Sequence, residues 1–224
     1  MFKNLMQFWK GKDFLSEVLG EFKDMLEDTE KMFESVCQRL IYSQERPELQ
    51  GKIYSIDKKV NELEKKIRKR VIEHLTLQPT VDVPVSLLLM SVVKDAERLG
   101  DYSKNLFEVT DLLEKPIDKK KYEKLFNGIE KEILELFKRT KEAFLESDEG
   151  QAAASWATKR GIGKRCEDII RKLSREHMSI NEAVCFALMS RYFKRLASHL
   201  TNIATSVILP INELDYFDEK KAEE

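Results

Sequence analysis

Acidic side chains at helical spacing are the first residues in this sequence whose pattern suggests chemistry. Glu97 and Asp101 are four residues apart, so they lie on one face of a helix. If the chain reverses direction near Thr80, this face comes level with positions 59 to 63 of the preceding helix. Four carboxylates are then expected to converge between two antiparallel helices: Asp57, Glu64, Glu97 and Asp101.

Two interpretations of these carboxylates compete. Clustered carboxylates repel one another unless a cation or protons neutralise them, and oxygen-rich sites in helix bundles hold iron, manganese or magnesium. The alternative is a solvated surface of weak ion pairs, because the chain is rich in acids and basic residues lie close by. These basic residues are Lys58, Lys65, Lys94 and Arg98. Helical spacing alone favours the interpretation as a solvated surface. A repeat of the surrounding pattern elsewhere in the chain would favour the interpretation as a cation site.

Such a repeat is present. The nine-residue segment that begins at Glu97 is echoed, 97 residues later, by the segment that begins at Lys194. In the second copy Lys194 replaces Glu97 and Ser198 replaces Asp101. We therefore expect the acidic site in the first copy only.

The second copy leaves two interpretations. A hairpin turn near Met178 places Lys194 opposite position 162, where no acid is expected at the matching level. The first interpretation, which we favour, is that the second copy has lost the site. The second is that three of its residues bind an anion or form a partner surface. Those residues are Lys194, Arg195 and His199.

Other catalytic arrangements are not indicated. The three histidines are scattered, no serine or cysteine has a neighbouring His–Asp arrangement, and no glycine-rich phosphate loop occurs. No helix carries the Glu-x-x-His pair of a di-metal carboxylate oxidase, which weakens a metal-dependent enzyme as an alternative. The three cysteines are widely spaced, which predicts reduced thiols in helices: Cys37, Cys166 and Cys185.

Composition predicts the elements that must position these residues. The 224 residues include only 8 Gly and 5 Pro, which is typical of long helices and argues against strand-rich folds. Basic and acidic residues number 39 and 40, so the net charge of −1 argues against a nucleic-acid binder. No apolar run approaches the roughly 20 residues that span a bilayer. We expect a cytoplasmic, soluble protein.

Apolar residues recur at three- and four-residue steps over six segments. The predicted helices are 12–41, 48–77, 82–115, 118–146, 152–177 and 179–209. Short loops between long helices make antiparallel neighbours. We predict an all-α fold of two pseudo-symmetric three-helix bundles, residues 1–115 and 116–224, whose long mutual contact could make one continuous unit.

The motifs resemble those of the PhoU family of phosphate-uptake regulators. The family repeat carries D-x-x-V-N-x-x-E, then Q-P near the turn, then E-R-[IL]-G-D-x-x-x-N, and its second copy carries R-x-x-E-R-x-x-D-H-x-x-N-I. The corresponding segments are Asp57–Glu64, Gln78-Pro79, Glu97–Asn105 and Arg191–Ile203. Their order and repetition cover the chain from within the first predicted helix onward.

The resemblance implies a non-enzymatic adaptor between a phosphate ABC transporter and a membrane sensor kinase, which represses phosphate-starvation genes when phosphate is plentiful. It also implies a homodimer and a metal ion, iron or zinc, manganese or magnesium, held by the acidic motifs. Lys194 and Ser198 depart from the second motif, and Pro84 stands where the family usually has Arg. Alternatives are an accessory protein of another anion carrier, or a helical metal-binding or purely structural protein without a phosphate role.

The N-terminus carries an apolar cluster outside the six-helix pattern. Five apolar residues lie beside three lysines, which is typical of a short helix at a membrane surface. Packing against the bundle end or a partner subunit is an equally good interpretation. The residues are Phe2, Leu5, Met6, Phe8 and Trp9, with Lys3, Lys10 and Lys12.

Overall fold

The computed structural model describes residues 13–44 and 47–215 of the chain, and this part is all-helical, with no strand. The helices are α1 Asp13–Leu40, α2 Leu49–Leu77, α3 Val83–Leu112, α4 Lys119–Phe126, α5 Ile129–Glu146, α6 Glu149–Leu173 and α7 Ile180–Thr205. A short 3-10 turn, Ile211–Glu213, follows. The predicted all-α fold is confirmed. The apolar N-terminal cluster lies outside the described residues.

The prediction of one helix over 118–146 was wrong. Asn127 and Gly128 both have positive φ values, 47° and 76°, which end one helix and begin another. A left-handed pair cannot continue a right-handed helix, and Asn and Gly tolerate that conformation best. The described part of the chain therefore contains seven α-helices where six were expected.

Helices α6 and α7 each end four residues earlier than predicted, at Leu173 and Thr205. Asp148 caps α6 by accepting hydrogen bonds from the backbone N–H groups of Gly150 and Gln151, so the helix begins three residues earlier than expected. It then runs unbroken through Gly161 and Gly163. Ser179 caps α7 as predicted, because its side chain accepts the N–H of Glu182.

Two three-helix bundles meet face to face. Helices α1–α3 pack together, as do α5–α7, and the bundles join where α3 lies against α7 and α1 against α5. Phe33 of α1 meets Phe137 of α5 and Phe193 of α7, at ring-centroid distances of 5.9 and 6.2 Å. One hydrophobic core spans both bundles. The division into residues 1–115 and 116–224 stays a prediction.

The three cysteines are buried and free: Cys37, Cys166 and Cys185. Burial raises the pKa of each thiol, to about 11 for Cys166. The prediction of free thiols in helices is therefore confirmed. Among the described residues, no helix has the length and apolar content that crossing a membrane requires.

Candidate functional site

The α2–α3 hairpin positions the predicted carboxylates. Ile53, Val60 and Ile67 are seven residues apart and buried, so they hold α2 against the core. Asp57 and Glu64 follow the first two of these by four residues, which places them beside the same buried stripe. Their side chains are only 12% and 16% exposed. The partner residues on α3 are Glu97 and Asp101.

The structure brings these four residues into one network, which we call the acidic cluster: Asp57, Glu64, Glu97 and Asp101. Lys104 Nζ donates to Asp57 Oδ2 at 2.8 Å and to Asp101 Oδ1 at 3.4 Å, and so ties α2 to α3. The charges of Asp101 and Glu64 both act on Glu97. The hairpin register predicted from the sequence therefore places these residues together.

Glu97 is the electrostatic centre of the acidic cluster. The pKa of Glu97 is raised to about 7, first by burial and then by the negative charges of Asp101 and Glu64, against the opposing charge of Arg98. Arg98 reaches Glu97 only at 3.5 Å because its guanidinium bonds Asp101 at 2.6 Å. Negative charge at Glu97 is therefore incompletely neutralised by the protein.

The donor chemistry of the acidic cluster suits a hard cation, but its arrangement does not. Carboxylate oxygens are the ligands of magnesium, manganese and non-haem iron. In the described part of the chain, however, no three His, Cys, Asp or Glu side chains form a group that could hold a metal ion. Arg68, Arg98 and Lys104 instead occupy carboxylate oxygens. The four residues as arranged do not fit a metal, and metal binding stays a prediction from the resemblance.

The second repeat forms a different contact at the matching place. Lys194 Nζ lies 2.5 Å from Oε1 of Glu167, an acid five residues beyond the level of position 162. A lysine side chain is long enough to reach more than one helical turn beyond position 162. The hydroxyl of Ser198 donates to the carbonyl of Lys194, in its own helix, at 3.0 Å. It therefore donates no hydrogen bond to the facing helix α6.

A His–Asp pair joins the two repeats, and sequence reasoning missed it. His199 Nδ1 lies 2.6 Å from Asp95 Oδ1, and the Tyr102 ring stacks on His199 at 5.5 Å. Tyr102 and His199 are equivalent residues at the 97-residue offset, so their contact marks the pseudo-twofold axis. Tyr192, the equivalent of Asp95, correspondingly lies 6.1 Å from Tyr102. The 97-residue offset, which makes Tyr102 and His199 equivalent, was the signal in the sequence that could have revealed this pair.

The described residues form two three-helix repeats that pack together through α3 and α7. The first repeat carries the acidic cluster. These features define a class of helical repeat protein. A family model described as the PhoU domain matches residues 22–110 and 126–207. The two matched stretches cover most of the chain and fall on the two bundles. The chain belongs to the PhoU family, as the motifs predicted.

Individual relatives agree with this assignment. The chain is 30% identical over 92 residues to "Phosphate-specific transport system accessory protein PhoU homolog 1" of Thermotoga maritima, a match that covers 41% of this chain and 38% of that protein. It is 24% identical over 199 residues to the "Phosphate-specific transport system accessory protein PhoU homolog" of Deinococcus radiodurans, covering 86% of this chain and 92% of the relative.

Solved structures show the same fold. The crystal structure of PhoU from Pseudomonas aeruginosa superposes with a TM-score of 0.76 at 20% identity, covering 87% of this chain and 95% of that one. The phosphate transport system regulatory protein PhoU from Streptococcus pneumoniae gives 0.75 at 16% identity, covering 93% and 95%. At such identities these likenesses establish the fold alone, and they confirm the two-bundle architecture.

Proposed function

We propose that this protein is a non-enzymatic regulator of phosphate uptake, an adaptor between a phosphate transporter and a membrane sensor kinase. The observation that carries the proposal is the PhoU-domain match on both repeats. Two relatives named as accessory proteins of the phosphate-specific transport system support it. In this proposal the protein acts as a cytoplasmic homodimer with a peripheral contact to the membrane.

The distribution of exposed apolar side chains supports an adaptor. Leu77 and Leu87 flank the turn between α2 and α3 and are 80% and 48% exposed, and Ile180 at the start of α7 is 84% exposed. Helices α3 and α7 run antiparallel, because Asp95 meets His199 whereas Tyr102, further along α3, meets the earlier residue Tyr192. Their N-terminal ends therefore lie at opposite ends of the molecule. An adaptor needs two separate contact regions, and each hairpin tip offers apolar area for one.

The proposal is tested in the organism that encodes the protein. Deleting the gene should derepress phosphate-starvation genes in phosphate-rich medium, and expression of the wild-type chain should restore repression. A pull-down from phosphate-replete cells should then recover the phosphate transporter and the sensor kinase. Leu77→Ser and Ile180→Ser should each reduce capture of one partner, because each removes apolar contact at one hairpin tip.

The same experiments separate the alternatives. If phosphate-starvation genes do not respond and the pull-down recovers a carrier of another anion, the protein serves that carrier instead. If neither partner is recovered and gene expression is unchanged, the regulatory proposal is wrong. An exposed polar substitution away from both tips, Glu62→Gln, serves as the matched control for capture, since Glu62 is 61% exposed.

A further inference from the structure

A cavity of about 290 Å³ opens between α6 and α7 in the second repeat. It is lined by Cys166, Glu167, Ile170 and Arg171 of α6 and by Ser190, Arg191 and Lys194 of α7. We call it the basic cavity. Its size is close to the lower end of small-molecule sites, which run from about 300 to 1,000 Å³. It is therefore large enough for a small ligand.

Positive charge dominates the lining of the basic cavity. Three cations, Arg171, Arg191 and Lys194, face a single carboxylate, Glu167. The helices behind the cavity have the same sign, with six basic and three acidic side chains on α6 and three basic and one acidic on α7. Because the whole chain carries a net charge of only −1, this hairpin is a local concentration of positive charge.

The three cations differ in how closely they are paired with carboxylates of the protein. Lys194 pairs with Glu167 at 2.5 Å, which lowers the pKa of Glu167. Arg171 is held by Asp168 at only 3.4 Å, with both side chains more than half exposed. Arg191 makes no ion pair with any residue in the ranges 13–44 and 47–215. At least one guanidinium group in the lining therefore has its donors available.

The inner wall adds no negative charge to oppose an anion. Ser190 Oγ donates to the carbonyl of Cys166 at 2.9 Å and so fixes α6 against α7 at this level. Burial raises the pKa of the Cys166 thiol to about 11, so the sulfur is protonated and neutral at physiological pH. With the side chain of Ile170, these groups form a wall without charge, which does not repel a bound anion.

The basic cavity shares one position, that of Lys194, with the acidic cluster of the first repeat. Lys194 is the equivalent of Glu97 at the 97-residue offset, and each faces the preceding helix of its own hairpin. At that position the first hairpin has a carboxylate and the second has a cation.

We infer that the basic cavity binds a small phosphoryl anion, either inorganic phosphate or the phosphate group of a small ester. Arginine is suited to this ligand because its planar guanidinium donates two parallel hydrogen bonds to phosphate oxygens. Arg191 is the principal binding residue, and Arg171 and Lys194 supply further positive charge. The inference stands on the cavity of this chain and does not require the proposed regulatory function.

Isothermal titration calorimetry of the full-length protein tests this inference, with inorganic phosphate and adenosine monophosphate as separate ligands in a zwitterionic buffer. Arg191→Gln should weaken binding by at least about tenfold, since a hydrogen-bonded charge is removed. The matched control is Arg175→Gln. Arg175 is an exposed arginine in the turn after α6 without an ion pair among the described residues, and it lies outside the cavity lining. It should change affinity less than twofold.

The two ligands distinguish the source of the phosphate. Inorganic phosphate that binds as tightly as the nucleotide assigns the cavity to free phosphate, whereas a nucleotide that binds more than tenfold tighter assigns it to a phosphate ester. Absence of saturable binding of both ligands up to about 10 mM would overturn the inference. An equal loss in the Arg191→Gln and Arg175→Gln variants would also overturn it, because binding would then follow general surface charge. Neither result depends on transporter or kinase partners, so failure here is separate from failure of the proposed function.

Discussion

The substitution Glu97→Gln should stabilise this protein at alkaline pH. In the folded chain the pKa of Glu97 rises from 4.5 to about 7 through burial and the charges of Asp101 and Glu64. A pKa difference of one unit corresponds to about 1.4 kcal/mol, and solvent screening of this partly buried group leaves about 1–2 kcal/mol of the full shift. Glutamine keeps the shape and a donor toward Asp101 but never becomes charged.

The sign of the pH dependence follows from linkage. Between about pH 4.5 and 7 the folded protein holds a proton on Glu97 that the unfolded chain releases. The stabilising contribution of this proton is present below about pH 4.5 and is lost as pH rises through 7. The Gln variant does not undergo this loss. Its advantage over the wild type should therefore appear as pH rises and be near zero at acid pH.

Thermal unfolding followed by circular dichroism measures this difference. In the presence of EDTA, which removes any bound metal, the Glu97→Gln variant should melt about 2–8 °C higher than the wild type at pH 8. At pH 4.5 the two melting temperatures should agree. The control Glu62→Gln, at a 61% exposed position on α2, should differ from the wild type by less than about 0.5 kcal/mol at both pH values. A Glu97→Gln variant that is no more stable than the wild type at pH 8 would show that burial and neighbouring charges do not raise the pKa of Glu97 as described.

Three further predictions concern the repeats and the assembly. His199→Ala should lower the free energy of unfolding in urea by about 1–3 kcal/mol, because Asp95 loses the shorter of its two hydrogen bonds to α7 and keeps only that from Asn202; an unchanged midpoint would contradict this. If metal copurifies with untagged protein, Glu97→Ala with Asp101→Ala should abolish it and Lys194→Ala should not, whereas equal occupancy of both repeats would contradict the assignment. Light scattering should show twice the 26.2 kDa chain mass, and a monomer at micromolar concentration would argue against the dimer.

Local patterns in the sequence were sufficient for most of the fold. Apolar residues at three- and four-residue steps identified the long helices, because helical periodicity follows from the geometry of a single segment. The break at Asn127 and Gly128 was missed although Asn-Gly is a turn signal. Apolar spacing continued on both sides of it and favoured a single helix. This error concerns two residues and leaves the two-bundle architecture unchanged.

The acidic cluster shows how far register arguments extend. A short turn between α2 and α3 leaves little freedom in the register of that hairpin, so the neighbours of Glu97 and Asp101 followed from counting residues. The cations that neutralise the cluster did not follow, because Lys104 and Arg68 choose partners only once both helices are packed. The raised pKa of Glu97 is likewise a property of burial, which the packed structure determines.

The sequence by itself determined the helices, the 97-residue repeat, the family motifs and the replacement of Glu97 by Lys194 in the second copy. Only the tertiary structure decided what surrounds those positions. The Asp95–His199 pair joins residues 104 positions apart across the pseudo-twofold axis. The basic cavity collects Arg171, Arg191 and Lys194 from two packed helices. Such contacts depend on the angle and separation of whole helices, which are determined by packing over the entire core rather than by any local pattern.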